Sequence, residues 1–172
     1  MARAAISLGS NMGDRRAILR EAVARLAELG RLCAVSPLYE TDPVGPVDQE
    51  PFYNAVAVLD TDLDAESLLT ALLAIEKSLG RVRGQRWGPR TIDLDLILHG
   101  DSVVRTAEVS VPHPRYRERR FVLEPLVAAW PEAHDPDGTH VARLLAALSG
   151  QAVTRIDDRE WRVERVEDRA AR

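Results

Sequence analysis

Hydrophobic residues along the first hundred positions alternate between a two-residue period and a helical period. Short apolar or alternating runs predict strands over 3–9, 31–41, 52–59 and 92–99. Apolar residues at helical spacing predict helices over 14–29 and 65–79. Further along we expect short strands near 102–105 and 107–110, a helix over 121–130, and a last helix from a Thr139 cap through Leu148.

The order of these elements, β-α-β-β-α-β, is typical of a ferredoxin-like fold. We therefore expect an α+β sandwich with a mainly antiparallel sheet and extra C-terminal helices. At 172 residues the chain fits one domain over 1–149. Residues 150–172 are rich in charges of both signs, which favours partial disorder. The apolar residues Ile156, Trp161 and Val163 favour an edge strand instead.

The strand over 92–99 has strict alternation with two carboxylates on one face. One face carries Ile92, Leu94, Leu96 and Leu98, and the other carries Asp93, Asp95, Ile97 and His99. Side chains at i and i+2 of a strand lie about 7 Å apart, so Asp93 and Asp95 repel each other unless a cation is near them. A hard divalent ion such as Mg²⁺ would supply that cation.

A segment with loop composition comes directly before this strand. Residues 81–90 contain two glycines, a proline and the four arginines Arg81, Arg83, Arg86 and Arg90. Arginines beside a magnesium site suit a polyphosphate, because guanidinium groups neutralise the phosphate oxygens that the metal leaves. The plainer alternative is a solvent-facing strand with surface Asp–Arg pairs, which would not require so many arginines in one place.

Three other positions have both a functional and a structural interpretation. Phe52 and Asn54 share a strand face and could stack on and hydrogen-bond a flat heterocycle, or belong to the core and the loop backbone. Glu76 has no cation at i±3 or i±4 of its helix, so its partner must come from elsewhere. His113 adjoins a second basic cluster over 115–120 and is either a phosphate contact or a surface residue.

Composition and charge limit the classes of partner. The net charge is −4, which fits a small polyanion at a local basic site better than a long nucleic acid. A single cysteine, Cys33, excludes an internal disulfide and fits a reducing compartment. The sequence has neither a signal peptide nor an 18-residue apolar stretch, so we expect a cytoplasmic protein with no membrane contact.

Several strings in the chain resemble the 6-hydroxymethyl-7,8-dihydropterin pyrophosphokinase family over about residues 4–148. The most specific is Arg86-Trp-Gly-Pro-Arg-Thr-Ile-Asp-Leu-Asp95, preceded by Gly80-Arg-Val-Arg83. The other strings are Leu8-Gly-Ser-Asn11, Tyr39-Glu-Thr-Asp-Pro-Val-Gly45, Phe52-Tyr-Asn-Ala-Val56, and Val111-Pro-His-Pro114 followed by Arg119 and Phe121.

This resemblance implies a ferredoxin-like enzyme of folate biosynthesis. It implies transfer of the pyrophosphoryl group of ATP to the hydroxymethyl group of the dihydropterin, with release of AMP. It makes Asp93 and Asp95 catalytic ligands of two Mg²⁺ ions and makes Arg81 and Arg90 catalytic. The implied ATP contacts are Glu76, Arg83, Arg86, Trp87, the Leu96 backbone, His113, Tyr116 and Arg119. The implied pterin contacts are Thr41, Asp42, Val44, Gly45, Phe52, Asn54 and Phe121.

The implied reaction agrees with the chemistry of the residues. Attack of a primary hydroxyl on a phosphorus atom is catalysed mainly by positioning and charge neutralisation. The residues identify no obligatory base, although Asp95 could accept the proton. Two alternatives remain: an RNA-binding module on the same fold and a kinase with another acceptor. We expect a monomer that binds ATP and the pterin but no nucleic acid.

Overall fold

An antiparallel sheet with helices on both faces makes up the fold. The computed structural model describes residues 1–43, 45, 48–80 and 91–161. The strands are β1 (Ala2–Ser10), β2 (Arg31–Val35), β3 (Leu38–Thr41), β4 (Phe52–Thr61), β5 (Asp93–His99), β6 (Val104–Arg105), β7 (Ser110–Val111) and β8 (Val153–Ile156). The helices are α1 (Arg15–Leu26), α2 (Ala65–Ser78), α3 (Arg120–Ala129) and α4 (Val141–Ala147).

The order of strands confirms the ferredoxin-like prediction. The main sheet runs β5-β1-β4-β3-β8, and β2 also pairs with β4. All its strand pairs are antiparallel. Each strand–helix–strand unit therefore joins two parallel strands with a third strand between them. The short strands β6 and β7 pair separately from this sheet.

A hydrophobic core lies on each face of the sheet. The first core packs Leu19 and Leu26 of α1 and Leu68 and Leu72 of α2 against β1, β4 and β5. The second core packs α3 and α4 against the opposite face. Asp14 caps α1 by accepting from the Ala17 N–H at 3.1 Å. The two cores leave the ends of the strands free to carry polar side chains.

The single strand expected over 31–41 is two strands, and that prediction was wrong. The strand is interrupted at Ser36 and Pro37, because proline has no N–H to donate to the neighbouring strand of the sheet. The Ser36 hydroxyl donates to the Pro37 carbonyl at 2.8 Å and accepts from the Val56 N–H at 2.9 Å. The side chain thus replaces a ladder bond that the backbone loses at the break.

The alternation predicted for 92–99 fails at its far end. The pairing of β1 with β5 shifts register between Ala5 and Ile6, so Ala5 faces Leu98 while Ile6 faces Leu96. Leu98 consequently joins Ile97 in the second core, whereas Leu94 and Leu96 remain in the first. A bulge of this kind moves the following residues to the other face. Asp93 and Asp95 lie before the shift, so their shared face is kept.

The last helix begins later than predicted. Its N-cap is His140, without a side-chain cap bond, so Thr139 does not cap it. Thr139 is held instead in a turn, where its N–H donates to the Asp137 carboxylate at 2.8 Å and its carbonyl accepts from the Asp135 N–H at 2.8 Å. Helix α4 therefore spans seven residues.

The segment after α4 returns to the sheet. Strand β8 pairs with β3, which places Ile156 opposite Leu38 in an edge strand. Trp161 lies beyond that strand in the first core, 5% exposed, and its indole N–H donates to the Ser36 carbonyl at 2.8 Å. Val163 lies outside the described residues. Within the described part of the chain, no helix is long and apolar enough to cross a membrane.

Candidate active site

A cavity of about 490 Å³ opens over the ends of β1, β4 and β5. It is bordered by residues from the central strands, from the loop after β3 and from the start of α3. Eight residues that the sequence assigned to the site line it: Thr41, Asp42, Phe52, Asn54, Asp93, Asp95, Arg119 and Phe121. The fold therefore brings both expected metal ligands and five of the seven expected pterin contacts to one place.

The floor of the cavity is the end of β1, between its two neighbours. Gly9 faces Asn54 of β4 on one side and Asp93 of β5 on the other. A Cβ at Gly9 would lie 3.3 Å from the Asn54 Oδ1 atom. The absence of a side chain at this position leaves the space between the amide and the carboxylates open.

One side of the cavity suits a flat heterocycle. Asn54 is buried, and its Nδ2 group donates to the Thr41 hydroxyl at 2.7 Å. That bond fixes the plane and the orientation of the amide. Phe52 and Phe121 are half-buried on the walls, one from β4 and one from α3. Rings in such positions can stack on an aromatic ligand while the amide hydrogen-bonds its edge.

The opposite side carries the two carboxylates at the start of β5. Asp95 faces Ser7 across the strand pair, and Asp93 faces Gly9. Between them the Leu94 N–H donates to the buried Glu76 carboxylate at 3.0 Å. Glu76 thus ties α2 to the strand that carries Asp93 and Asp95. Glu76 does not line the cavity. The hydrogen bond that it accepts comes from the backbone of β5.

Two carboxylates on one side of an open cavity fit a magnesium ion. Among the described residues no group of three or more His, Cys, Asp and Glu side chains is arranged to hold a metal. Mg²⁺ does not require such a group, because it usually binds one or two carboxylates, water and substrate phosphates. Asp93 and Asp95 therefore fit an ion that arrives with a polyphosphate.

The third wall is built where the chain enters α3. The Arg119 guanidinium lies over the Phe121 ring, 5.6 Å from its centre. The His113 backbone N–H donates to the Ile97 carbonyl at 2.9 Å, which places His113 beside β5, the strand that carries Asp93 and Asp95. The His113 Nδ1 atom accepts from the Arg115 N–H at 3.1 Å, so in the neutral ring the proton is on Nε2. A neutral His113 can therefore donate to a phosphate.

The half-buried position of His113 has a consequence for stability at acid pH. Burial lowers its pKa from 6.5 to about 4, with a further contribution from Arg119. The unfolded chain therefore binds a proton at a higher pH than the folded protein does. His113 contributes stability that is fully present above about pH 6.5 and is lost as the pH falls through about 4. We expect His113→Gln to flatten the decline in the free energy of unfolding across this range.

Urea denaturation at several pH values between about 7 and 4 measures that decline. The exposed His140 provides the control, because His140→Gln should leave the slope of the wild-type protein unchanged. Parallel curves for wild type and His113→Gln would contradict the assignment of this effect to His113.

Other predicted residues lie elsewhere. Tyr116 is in the second core, where its hydroxyl donates to Asp135, and the structure does not bring it to the cavity. The Leu96 side chain packs in the first core. Gly45 is exposed, with a φ of 106° that favours glycine. Six predicted residues lie outside the described residues: Val44, Arg81, Arg83, Arg86, Trp87 and Arg90.

The cavity also contains residues that the sequence reasoning missed. They are Ser7, Gly9, Gln49, Arg115, Glu118 and Gln151. Arg115 and Glu118 lie within the basic cluster that the sequence singled out, and Gly9 lies near the end of an apolar strand that the sequence predicted. Gln49 and Gln151 carry no such signal, because a glutamine in a polar segment is indistinguishable from any surface residue.

A family model and known proteins match this chain. The model described as 7,8-dihydro-6-hydroxymethylpterin-pyrophosphokinase matches residues 5–131. The 2-amino-4-hydroxy-6-hydroxymethyldihydropteridine pyrophosphokinase of Pseudomonas aeruginosa is 46% identical over 157 residues, which cover 90% of this chain and 96% of that protein. The protein of the same name from Methylorubrum extorquens is 42% identical over 159 residues, which cover 91% of this chain and 100% of that protein.

A solved structure matches the fold. The crystal structure of the Plasmodium falciparum HPPK-DHPS protein with pteroate superposes with a TM-score of 0.66 at 19% identity. The match covers 84% of this chain, and this chain spans 42% of that longer one. At this level of identity the likeness concerns the arrangement of strands and helices alone.

Proposed function

The chain belongs to the 7,8-dihydro-6-hydroxymethylpterin-pyrophosphokinase family, and from this premise we propose how its cavity carries out the reaction. The protein is a pyrophosphokinase of folate biosynthesis. It transfers the pyrophosphoryl group of ATP to the hydroxymethyl group of the dihydropterin. We assign this activity to the catalytic domain of residues 1–149, with ATP and the pterin bound side by side in the cavity.

The bonds that change define what the residues must do. The hydroxymethyl oxygen of the pterin attacks the β-phosphorus of ATP and loses its proton. The bond between the β-phosphorus and the oxygen bridging to the α-phosphorus breaks, and AMP leaves with that oxygen. Such a transfer depends on in-line positioning and on neutralising phosphate charge. We assign positioning to the pterin side of the cavity and neutralisation to the side that carries β5.

On the pterin side, Phe52 and Phe121 stack on the two faces of the heterocycle. The Asn54 amide, fixed by Thr41, reads its hydrogen-bonding edge, and Asp42 borders the same space. The backbone of Val44 and Gly45 completes the pterin contacts. Binding of the rigid ring in this way orients the hydroxymethyl group toward the β5 side.

On the phosphate side, Asp93 and Asp95 would hold magnesium. Two Mg²⁺ ions bound there would neutralise phosphate charge and lower the pKa of the attacking hydroxyl. Arg119 and His113 contact the triphosphate from the wall beside α3. We assign further triphosphate contacts to Arg81, Arg83, Arg86, Trp87 and Arg90, which precede β5 in the sequence. Glu76 acts through the Leu94 N–H, which keeps both carboxylates directed into the cavity.

The observation that carries this proposal is the joint placement of two kinds of side chain in one cavity. Phe52, Asn54 and Phe121 suit a flat heterocycle, and Asp93 and Asp95 suit a metal-bound polyphosphate. An RNA-binding surface would not need paired carboxylates, because they repel phosphate in the absence of a metal. We further propose that the enzyme works as a cytoplasmic monomer, in which Cys33 remains a buried free thiol.

A nucleotide assay tests the proposed chemistry. Purified protein is incubated with ATP, Mg²⁺ and 6-hydroxymethyl-7,8-dihydropterin, and AMP and ADP are separated by chromatography. We expect AMP to form only when the pterin and Mg²⁺ are both present. Release of ADP, or release of AMP without the pterin, would contradict attack on the β-phosphorus. Full activity after removal of divalent ions with a chelator would contradict the role of Mg²⁺.

A further inference from the structure

Gln151 makes two hydrogen bonds to the backbone at the entrance to α3. Its Oε1 atom accepts from the Arg120 N–H at 3.0 Å. Its Nε2 group donates to the Glu118 carbonyl at 2.7 Å. The two ends of one side-chain amide therefore bracket Arg119. Gln151 also lines the cavity, two residues beyond the proposed catalytic domain.

The start of α3 needs a partner of this kind. Arg119 is the N-cap residue, and its side chain makes no capping bond. The first N–H groups of a helix have no partner within the helix, and a side chain usually satisfies one of them. Here Gln151 supplies that acceptor to Arg120 from 31 residues along the chain. The side chain of the N-cap residue is thus left to point elsewhere.

Gln151 is itself firmly positioned. Gly150 and Gln151 both adopt a positive φ, 76° and 55°, which turns the chain after α4. The Arg120 guanidinium holds that turn by donating to the Leu148 carbonyl at 2.7 Å and to the Gly150 carbonyl at 3.2 Å. Strand β8 begins two residues later, at Val153, and pairs with β3. The amide is therefore fixed between the sheet edge and α3.

We propose that Gln151 is a positioning residue for the pyrophosphoryl transfer, acting through Arg119. It fixes the backbone on both sides of Arg119 and so sets where the guanidinium lies over Phe121 and how both face the cavity. This inference rests on the function proposed above, in which Arg119 contacts the triphosphate and Phe121 stacks on the pterin. The segment after α4 then contributes to the catalytic geometry as well as to the sheet.

Two substitutions separate hydrogen bonding from the filling of space. Gln151→Ala removes the amide, and Gln151→Met keeps the length of the side chain without either hydrogen bond. We expect both variants to lower kcat/KM for ATP by roughly tenfold to a hundredfold, since a displacement of about 1 Å can cost on the order of a hundredfold. The midpoint of thermal unfolding should fall by only about 2–4 °C, as for the loss of one helix cap.

A double-mutant cycle tests whether Gln151 acts through Arg119. In an Arg119→Ala background, adding Gln151→Ala should lower kcat/KM by less than about twofold, because the group that Gln151 positions has been removed. Thr154→Ala is the control, since this exposed residue lies in the same segment, in β8. It should keep the activity of the wild-type enzyme.

The outcomes separate this inference from the proposed function. If wild-type protein releases no AMP with ATP, Mg²⁺ and the pterin, the proposed function is wrong, and the inference that rests on it is wrong too. If wild type is active and Gln151→Ala is equally active, Gln151 has no positioning role. Full activity of Gln151→Met overturns the role of the hydrogen bonds. A loss as large in the Arg119→Ala background as in wild type overturns the path through Arg119.

Discussion

Replacement of Asp95 by alanine is expected to remove nearly all turnover while leaving the protein folded. Asp95 lies near the start of β5, half-buried and facing the cavity, so its loss opens no large hole in either core. The variant should lose metal-dependent stabilisation of the transition state, which is worth several kcal/mol. Since about 1.4 kcal/mol corresponds to a factor of ten, we expect kcat to fall by roughly a thousandfold or more.

The measurement is AMP release at saturating ATP, pterin and Mg²⁺, with circular dichroism to follow the fold. The control is Asp157→Ala, which removes an exposed carboxylate near the edge strand β8 and should keep normal activity. Near-normal turnover of Asp95→Ala in Mg²⁺ would show that the metal is held by other residues.

Replacement of Trp161 by alanine is expected to give a large loss of stability. The side chain is 5% exposed, packs in the first core and donates to the Ser36 carbonyl at 2.8 Å. Removing a buried tryptophan typically costs about 3–5 kcal/mol, because the cavity left behind is only partly filled. The Ser36 carbonyl, at the break between β2 and β3, also loses its donor.

Urea denaturation monitored by far-ultraviolet circular dichroism measures this loss. Arg159→Ala, at an exposed position in the same turn, is the control and should change the free energy of unfolding by less than about 0.5 kcal/mol. If Trp161→Ala were as stable as this control, the segment after β8 would not belong to the folded unit.

The sequence was most informative where one pattern determined one face. Asp93 and Asp95 could be assigned to a common face because the alternation around them is strict, and that face forms one side of the cavity. The bulge opposite Ala5 and Ile6 could not be foreseen, since it depends on pairing with a strand some ninety positions earlier. Because of this bulge, Leu98 lies on the face opposite to the predicted one. Asp93 and Asp95 come before the bulge, so their predicted face is unchanged.

Residues whose role depends on distant contacts were the hardest to predict. The family resemblance implied an ATP contact for Tyr116, whereas in the structure its hydroxyl donates to Asp135 in the second core. Gln151 could not be predicted, because nothing in the local sequence marks a glutamine that caps a helix 31 residues away. The sequence places no cation at i±3 or i±4 of Glu76, and this did signal a distant partner, the Leu94 N–H.

The most direct test of the proposed site is a crystal structure of the wild-type protein with three ligands. These are 6-hydroxymethylpterin, Mn²⁺ in place of Mg²⁺, and an ATP analogue with a methylene group between the α- and β-phosphates. That bond cannot break by the proposed route, so the complex is trapped. We predict an anomalous signal from Mn²⁺ beside Asp93 and Asp95, with the pterin between Phe52 and Phe121. Metal bound away from these carboxylates, or a pterin outside the two rings, would contradict the site.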